Sequence, residues 1–158
     1  MEQGLTVVEV LFRIVLGLRF LSSGLSNVRR WPNPVKNARL VFSFGQTFFG
    51  AVAVVLMAAG GAGLALGLFT QIAALMIIIF LIPTFKIQWH WLQLFPKTIE
   101  RVGSAIADVG ARDDFQVLAK HAIHAHEVGL QDNLVLLIAA LFFALRGSAA
   151  FGIDNLLR

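Results

Sequence analysis

The sequence predicts an all-α fold, a polytopic membrane protein whose four transmembrane helices pack as a bundle and whose third loop is amphipathic and helical. Composition and patterning predict it. Of the 158 residues 58% are apolar and 14% charged, and the mean hydropathy is +0.78, whereas about a quarter of a soluble domain is charged. The apolar residues are gathered into long runs, and one crossing takes about 20 of them. Backbone polar groups in lipid must be satisfied within each segment, which makes helices the default. A water-soluble domain, a disordered tail and a nucleic-acid-binding module are excluded. Four crossings and their connections use the length, so residues 1–158 read as a single membrane domain.

The spans are expected at about 6–25, 45–68, 71–95 and 133–153. The first is interrupted by Glu9, Arg13 and Arg19. It lacks the basic flank and small-residue cleavage site of a signal peptide and is expected to stay in the mature protein. A loop of about 26–40 follows, with Arg29, Arg30, Lys36 and Arg39, no acid, and the prolines of Trp31-Pro32-Asn33-Pro34, a turn-rich composition. The break at Gly67 to Gln71 is short enough to join the second and third spans as a tight hairpin. Pro83 is expected to kink the third span, because it removes a backbone donor. Lys86, Trp89, His90 and Trp91 at its end read as an interfacial belt.

From about 96 to 132 the composition turns to mixed charge, with four Lys or Arg, six acids and three of the four histidines. Apolar residues recur at helical spacing (Val102, Ile106, Val109, then Phe115, Leu118, Ala122), so one or two amphipathic helices are expected to lie on the membrane or a partner. With Lys86, the first and third loops hold nine of the thirteen Lys and Arg. The positive-inside rule then puts both loops in the cytoplasm and both termini outside, in a multi-pass protein of the cell inner membrane.

Ionisable residues inside a span are costly in hydrocarbon and normally face the bundle interior or a polar cavity. Glu9 and Arg13, four apart, share a helix face, while Arg146 needs a partner from another helix, for which Glu9 is the nearest candidate in depth. Two readings follow. Glu9, Arg13 and Arg146 are a buried ion-pair cluster that fixes helix register, or they bind an anionic or carbonyl-bearing ligand such as a quinone head group. Arg19 is expected to snorkel at the cytoplasmic end. Ala59, Gly63 and Gly67, and Ala140, Ala144 and Ser148, recur every four residues as close-packing stripes.

His121, His124, His126 and Glu127 have the composition of a metal tract. On a helix, however, His126 points almost opposite to His124, so three ligands converge only if the helix breaks near Ala125. Solvated histidines on an amphipathic helix are the alternative. With no cysteine in the chain, disulfides, thiolate metal sites and Cys-x-x-Cys redox pairs are impossible. No nucleophile triad, phosphate loop or paired-carboxylate site is evident, and Gly60-Gly61-Ala62-Gly63 lies inside a span.

The first span's Arg13, Gly17, Phe20 and Gly24, the turn Gly67-Leu-Phe-Thr-Gln-Ile, the stretch Ile82-Pro83-Thr84-Phe85 leading to His90-Trp91, Asn133 opening the last span, and Gly147 to Asp154 at its close together resemble the DoxX family of small four-helix membrane proteins over nearly the whole chain. Asn27 stands where that family usually has Lys, an acid often seen in its second span is missing, and Ala149 and Gly152 replace a Gly and a Ser of its closing motif. The resemblance implies the four-helix fold. It further implies a membrane subunit of the terminal quinol oxidase or thiosulfate:quinone oxidoreductase type, or an associate of redox-protective enzymes.

The expected function is an integral membrane subunit of a respiratory or redox complex, quinone-associated, with no self-contained catalytic motif. The alternative is a non-catalytic anchor or scaffold docking a partner enzyme through its third loop, and a third reading is a His-based metal-binding membrane protein. No cofactor is expected to be covalently carried, a quinone is the candidate ligand, and a metal is not favoured. Expected partners are the bilayer and other subunits of a membrane complex, without nucleic acid; a homo-oligomer is left open.

Overall fold

The computed structural model describes residues 2–148 and 151–156. Among them it is all-helical, with six helices: α1 Glu2–Arg29, α2 Asn33–Arg39, α3 Gln46–Leu66, α4 Thr70–Ala105, α5 Val109–Arg146 and α6 Ile153–Leu156. Three of these, α3, α4 and α5, are long and apolar enough to cross a membrane. The sequence-based count of four crossings thus stands one above that number. The difference is α1, which has the length at 28 residues but carries Glu9, Arg13 and Arg19 along it. Ala149 of the closing motif and Arg158 lie outside the described residues.

The four long helices share one core. Leu16 and Phe20 of α1, Met57 and Leu64 of α3, Ala74, Ile77 and Leu81 of α4, and Ala140 and Phe143 of α5 are packed together. Large apolar side chains cover the outside, among them Val15, Val55, Ile79, Val135 and Leu145, each more than half exposed. In water such a surface would aggregate; facing lipid tails it costs nothing, because lipid is as apolar as the core.

Glycine sets the closest crossing. A Cβ on Gly17 would lie 2.4 Å from the Ala65 nitrogen, one on Gly61 2.4 Å from the Leu21 nitrogen, and one on Gly24 2.8 Å from the Ala58 nitrogen. The backbones of α1 and α3 therefore touch, antiparallel, through glycines on both helices. Gly63 closes instead on Ala73 of α4, and Gly67 forms the α3 C-cap in a left-handed conformation (φ 62°), the conformation that favours glycine there. Of the two expected stripes, Gly63, Ala140 and Ser148 do pack inside, but Ala59 is exposed.

The basic first loop contains α2. Pro34 sits in its first turn, where a missing N–H is harmless. Pro34, Val35 and Ala38 are buried, and the α2 backbone rests on Gly50, where a Cβ would come 3.0 Å from the Val35 nitrogen. Lys36 and Arg39 are exposed.

The stretch 96–132, expected as a loop with separate amphipathic helices, is built differently. Helix α4 runs through both Pro83 and Pro96 to Ala105, a three-residue turn follows, and α5 starts at Val109. Asp108 caps α5, accepting a hydrogen bond from the Ala111 nitrogen at 2.7 Å, and the Arg112 guanidinium donates to the Ile106 carbonyl at 2.6 and 3.1 Å. Only part of the apolar stripe read from the spacing meets the opposite helix: Phe115 lies against Gly103 and Ala119 beside it is buried, while Val109 and Leu118 stay exposed. The physical reason is that the two amphipathic segments of one hairpin cover part of each other's apolar surface. At 36 and 38 residues, and about 1.5 Å per residue, the paired helices are about 54 and 57 Å long. A hydrocarbon core is about 30 Å thick, so the hairpin is longer than a perpendicular crossing by roughly 24 Å.

Candidate functional site

Polar chemistry is concentrated in three places. The first is at the end of the bundle where α1 begins and α5 ends. Arg13 is 2% exposed. Its Nη1 donates to Ser148 Oγ and its Nη2 to the Phe151 carbonyl at 2.9 Å, with Glu9 and Asp154 as the carboxylates in its field. Gly67 and Gly152 give the guanidinium room, since a Cβ on either would come within 2.7 and 3.0 Å of it. Arg146 Nε pairs with Glu9 Oε2 at 3.2 Å, the interhelical partnership read from their depth. Its guanidinium also lies over Phe142, 5.8 Å from the ring centre. Glu9, Arg13 and Arg146 are thus gathered at one end, and Arg13 is engaged with the closing segment of its own chain.

Asp154 completes this end. Its carboxylate accepts from the Phe69 nitrogen at 2.6 Å, the Thr70 nitrogen at 2.9 Å and Thr70 Oγ1 at 2.8 Å, while its own nitrogen donates to the Gly67 carbonyl at 2.9 Å. The last helical turn is therefore bolted onto the α3–α4 turn. Sequence reasoning had Asp154 only as the last residue of a motif. A lone acid beyond the last apolar run was the available signal.

The second place is a cavity of about 340 Å³ at the opposite end, enclosed by the end of α1, by α2, and by α3 and α4. Its walls are apolar apart from Asn27, Asn37, Thr84 and Gln88. Thr84 and Gln88 are one turn apart on α4, and Thr84 Oγ1 accepts from Asn133 Nδ2 at 3.1 Å while donating to the Leu81 carbonyl, just before Pro83. Asn27 Nδ2 reaches only a sulfur, Met57 Sδ at 3.5 Å. Sequence reasoning missed this site. Its signals were Asn27 and Asn37 bracketing the two prolines, and the Thr84 to Gln88 spacing behind Pro83.

The third place is the start of the projecting hairpin. Gln88 Oε1 and His126 Nδ1 are 2.5 Å apart, and the His126 ring lies against Phe95 and Trp91, with centroids 5.1 and 6.1 Å away. Burial holds this imidazole below its usual pKa. His124 instead pairs with Glu127 at 3.5 Å on an exposed surface, and His121 is exposed. Among the described residues no three His, Cys, Asp or Glu side chains are grouped to hold a metal ion. His121, His124, His126 and Glu127 therefore do not fit a metal: the helix continues unbroken through Ala125 and keeps His126 turned from His124. Trp89 and His90 are exposed at this level and Trp91 is half-buried. Arg19 pairs with Asp132 at 2.7 Å, both half-exposed, rather than only snorkelling.

A family model described as DoxX matches residues 8–91, more than half of the chain. No curated protein and no solved structure matches it.

Proposed function

We propose, since the chain belongs to the DoxX family of membrane proteins, that it serves as a small integral subunit of a quinone-linked redox complex in the inner membrane. On this reading α1 crosses as a fourth span, its charges partnered by Arg146, Asp132 and the closing segment, and the basic first loop and the hairpin lie on the cytoplasmic side. The observation that carries the reading is the α4–α5 hairpin. Its two helices are nearly twice the length a crossing needs, and the surplus presents Val109, Val117 and Leu118, all more than half exposed, amid charged side chains. A membrane chain without thiols carries no thiol redox chemistry of its own, and gains redox work through what it holds or docks. The hairpin supplies a rigid docking element. A quinone, which is neutral and lipid-soluble, is the electron carrier such a bundle would meet.

The test is purification of the tagged chain from its native membrane in mild detergent, with the copurifying proteins and quinone measured. A stoichiometric partner with bound quinone is expected. Val117→Glu with Leu118→Glu is expected to release the partner while leaving the helical content unchanged. A wild-type chain that purifies alone overturns the subunit reading. A partner without quinone favours the scaffold alternative, in which the same hairpin anchors an enzyme.

A further inference from the structure

We infer that the cavity roofed by α2 is a binding site for an uncharged amphiphile with a carbonyl-bearing head and a hydrocarbon body. Its volume of about 340 Å³ falls within the roughly 300–1,000 Å³ of small-molecule sites, which are apolar with a few convergent polar groups. The charge pattern selects the ligand. No charged side chain lines the cavity, so a buried anion or cation would have no ionic partner there, at a high cost in a low-dielectric wall. Basic residues are close by but outside the lining: on α2, Asn37 and Ala38 line the cavity, whereas Lys36 and Arg39, on either side of them, do not.

The polar groups suit an acceptor-rich head. Asn27, Asn37 and Gln88 each carry an amide NH₂ with two donors. The Asn27 amide is spent on a thioether, a weak acceptor that a carbonyl would displace. The Gln88 amide is turned to α5, its carbonyl at His126 and its NH₂ beside Gly129, which leaves Asn27 and Asn37 as the donors a head group would meet. These groups stand at the level of the basic first loop, where a head group belongs, and the remaining wall, from Val54 to Met57 and from Ile79 to Pro83, leads into the apolar bundle, where a tail belongs. A quinone and a neutral glyceride share this chemistry. The inference rests on the preceding reading only for including a quinone among the probes.

The test measures binding of three probes to the purified full chain in detergent: a decyl-substituted benzoquinone, dioleoylglycerol and anionic phosphatidate. Saturable binding of either neutral probe is expected. Asn27→Leu and Asn37→Leu should each raise its Kd about three- to tenfold, the loss of one hydrogen bond, and Ala53→Phe, which fills the cavity from its wall, should abolish binding with the helical content unchanged. Which neutral probe binds identifies the source. The inference is overturned if neither neutral probe binds, if phosphatidate alone does, or if all three variants bind within twofold of wild type. It can fail while a partner still copurifies, and it can hold for a chain that purifies alone, so its fate is separable from that of the subunit reading.

Discussion

The Asp154 carboxylate caps a helix that begins more than eighty residues earlier in the chain, accepting the Thr70 amide at 2.9 Å and its hydroxyl at 2.8 Å. The first amides of any helix lack intrahelical partners, and here the closing turn supplies the acceptor. The carboxylate also stands at the positive end of the α4 dipole. Asp154→Ala should therefore destabilise the bundle by about 0.5–2 kcal/mol, the range for a lost cap. Asp154→Asn, which keeps an acceptor but not the charge, should lose less. Thermal unfolding of both variants in one detergent checks the order, and equal losses would mean that the cap's acceptor contributes nothing.

Much of the fold was legible because a bilayer simplifies the code. Apolar runs long enough to cross are visible at once in α3, α4 and the second half of α5, and the left-handed Gly67 turn follows from a short break between two of them. The pairing of Arg146 with Glu9 was legible too, since a charge at that depth must find its opposite. What the sequence hid was pairing between segments of intermediate polarity. Residues 96–132 have the composition of a loop, and nothing in one stretch alone says that Phe115 will lie against Gly103 instead of on lipid. The amide-lined cavity was hidden for a related reason: Asn27, Asn37 and Gln88 come from three helices, and only the crossing of α1 and α3 on bare glycine backbone, with α2 folded over it, brings them together.

Arg13 joins the first helix to the closing segment through two groups, Ser148 Oγ and the Phe151 carbonyl. Arg13→Leu would take the charged donor from both acceptors, of which Ser148 is buried, at about 1.5–3 kcal/mol for a hydrogen bond to a charged group. Arg13→Lys keeps the charge but not the fork that reaches two acceptors at once, so its loss should be intermediate. If the cluster instead serves a ligand, Arg13→Leu would unfold at the wild-type temperature, and comparison of the three melting curves decides.

The α1–α3 crossing has no room for a side chain at Gly17 or Gly61. Gly61→Val should separate the helices and cost about 1–3 kcal/mol or more, as overpacking does. Gly45, by contrast, has only the Phe49 ring near its absent Cβ, at 3.5 Å. Its left-handed φ of 63° suits Asn, which tolerates that region, so Gly45→Asn should cost much less. Chains carrying the two substitutions, compared by yield of folded protein and by melting temperature, test whether backbone contact or turn geometry is the stricter demand.

The length of the hairpin makes a geometric prediction that needs no partner. Ala107, in the exposed turn between α4 and α5, lies roughly 24 Å beyond the hydrocarbon if one end of the hairpin is flush with the opposite face. Val55 and Val135 are also exposed in the structure, but on the apolar stretches of α3 and α5, where lipid covers them. Because the chain has no cysteine, single replacements report cleanly. Ala107→Cys in sealed membrane vesicles should react with a membrane-impermeant maleimide presented from the hairpin's side, and Val55→Cys and Val135→Cys should not react from either side. In inside-out vesicles of the inner membrane the Ala107→Cys signal should appear, since the basic first loop and the hairpin are read as cytoplasmic. Labelling only in right-side-out vesicles would reverse the orientation while keeping the hairpin. An Ala107→Cys chain that resists the reagent on both sides would mean that the paired helices lie along the bilayer instead of projecting from it.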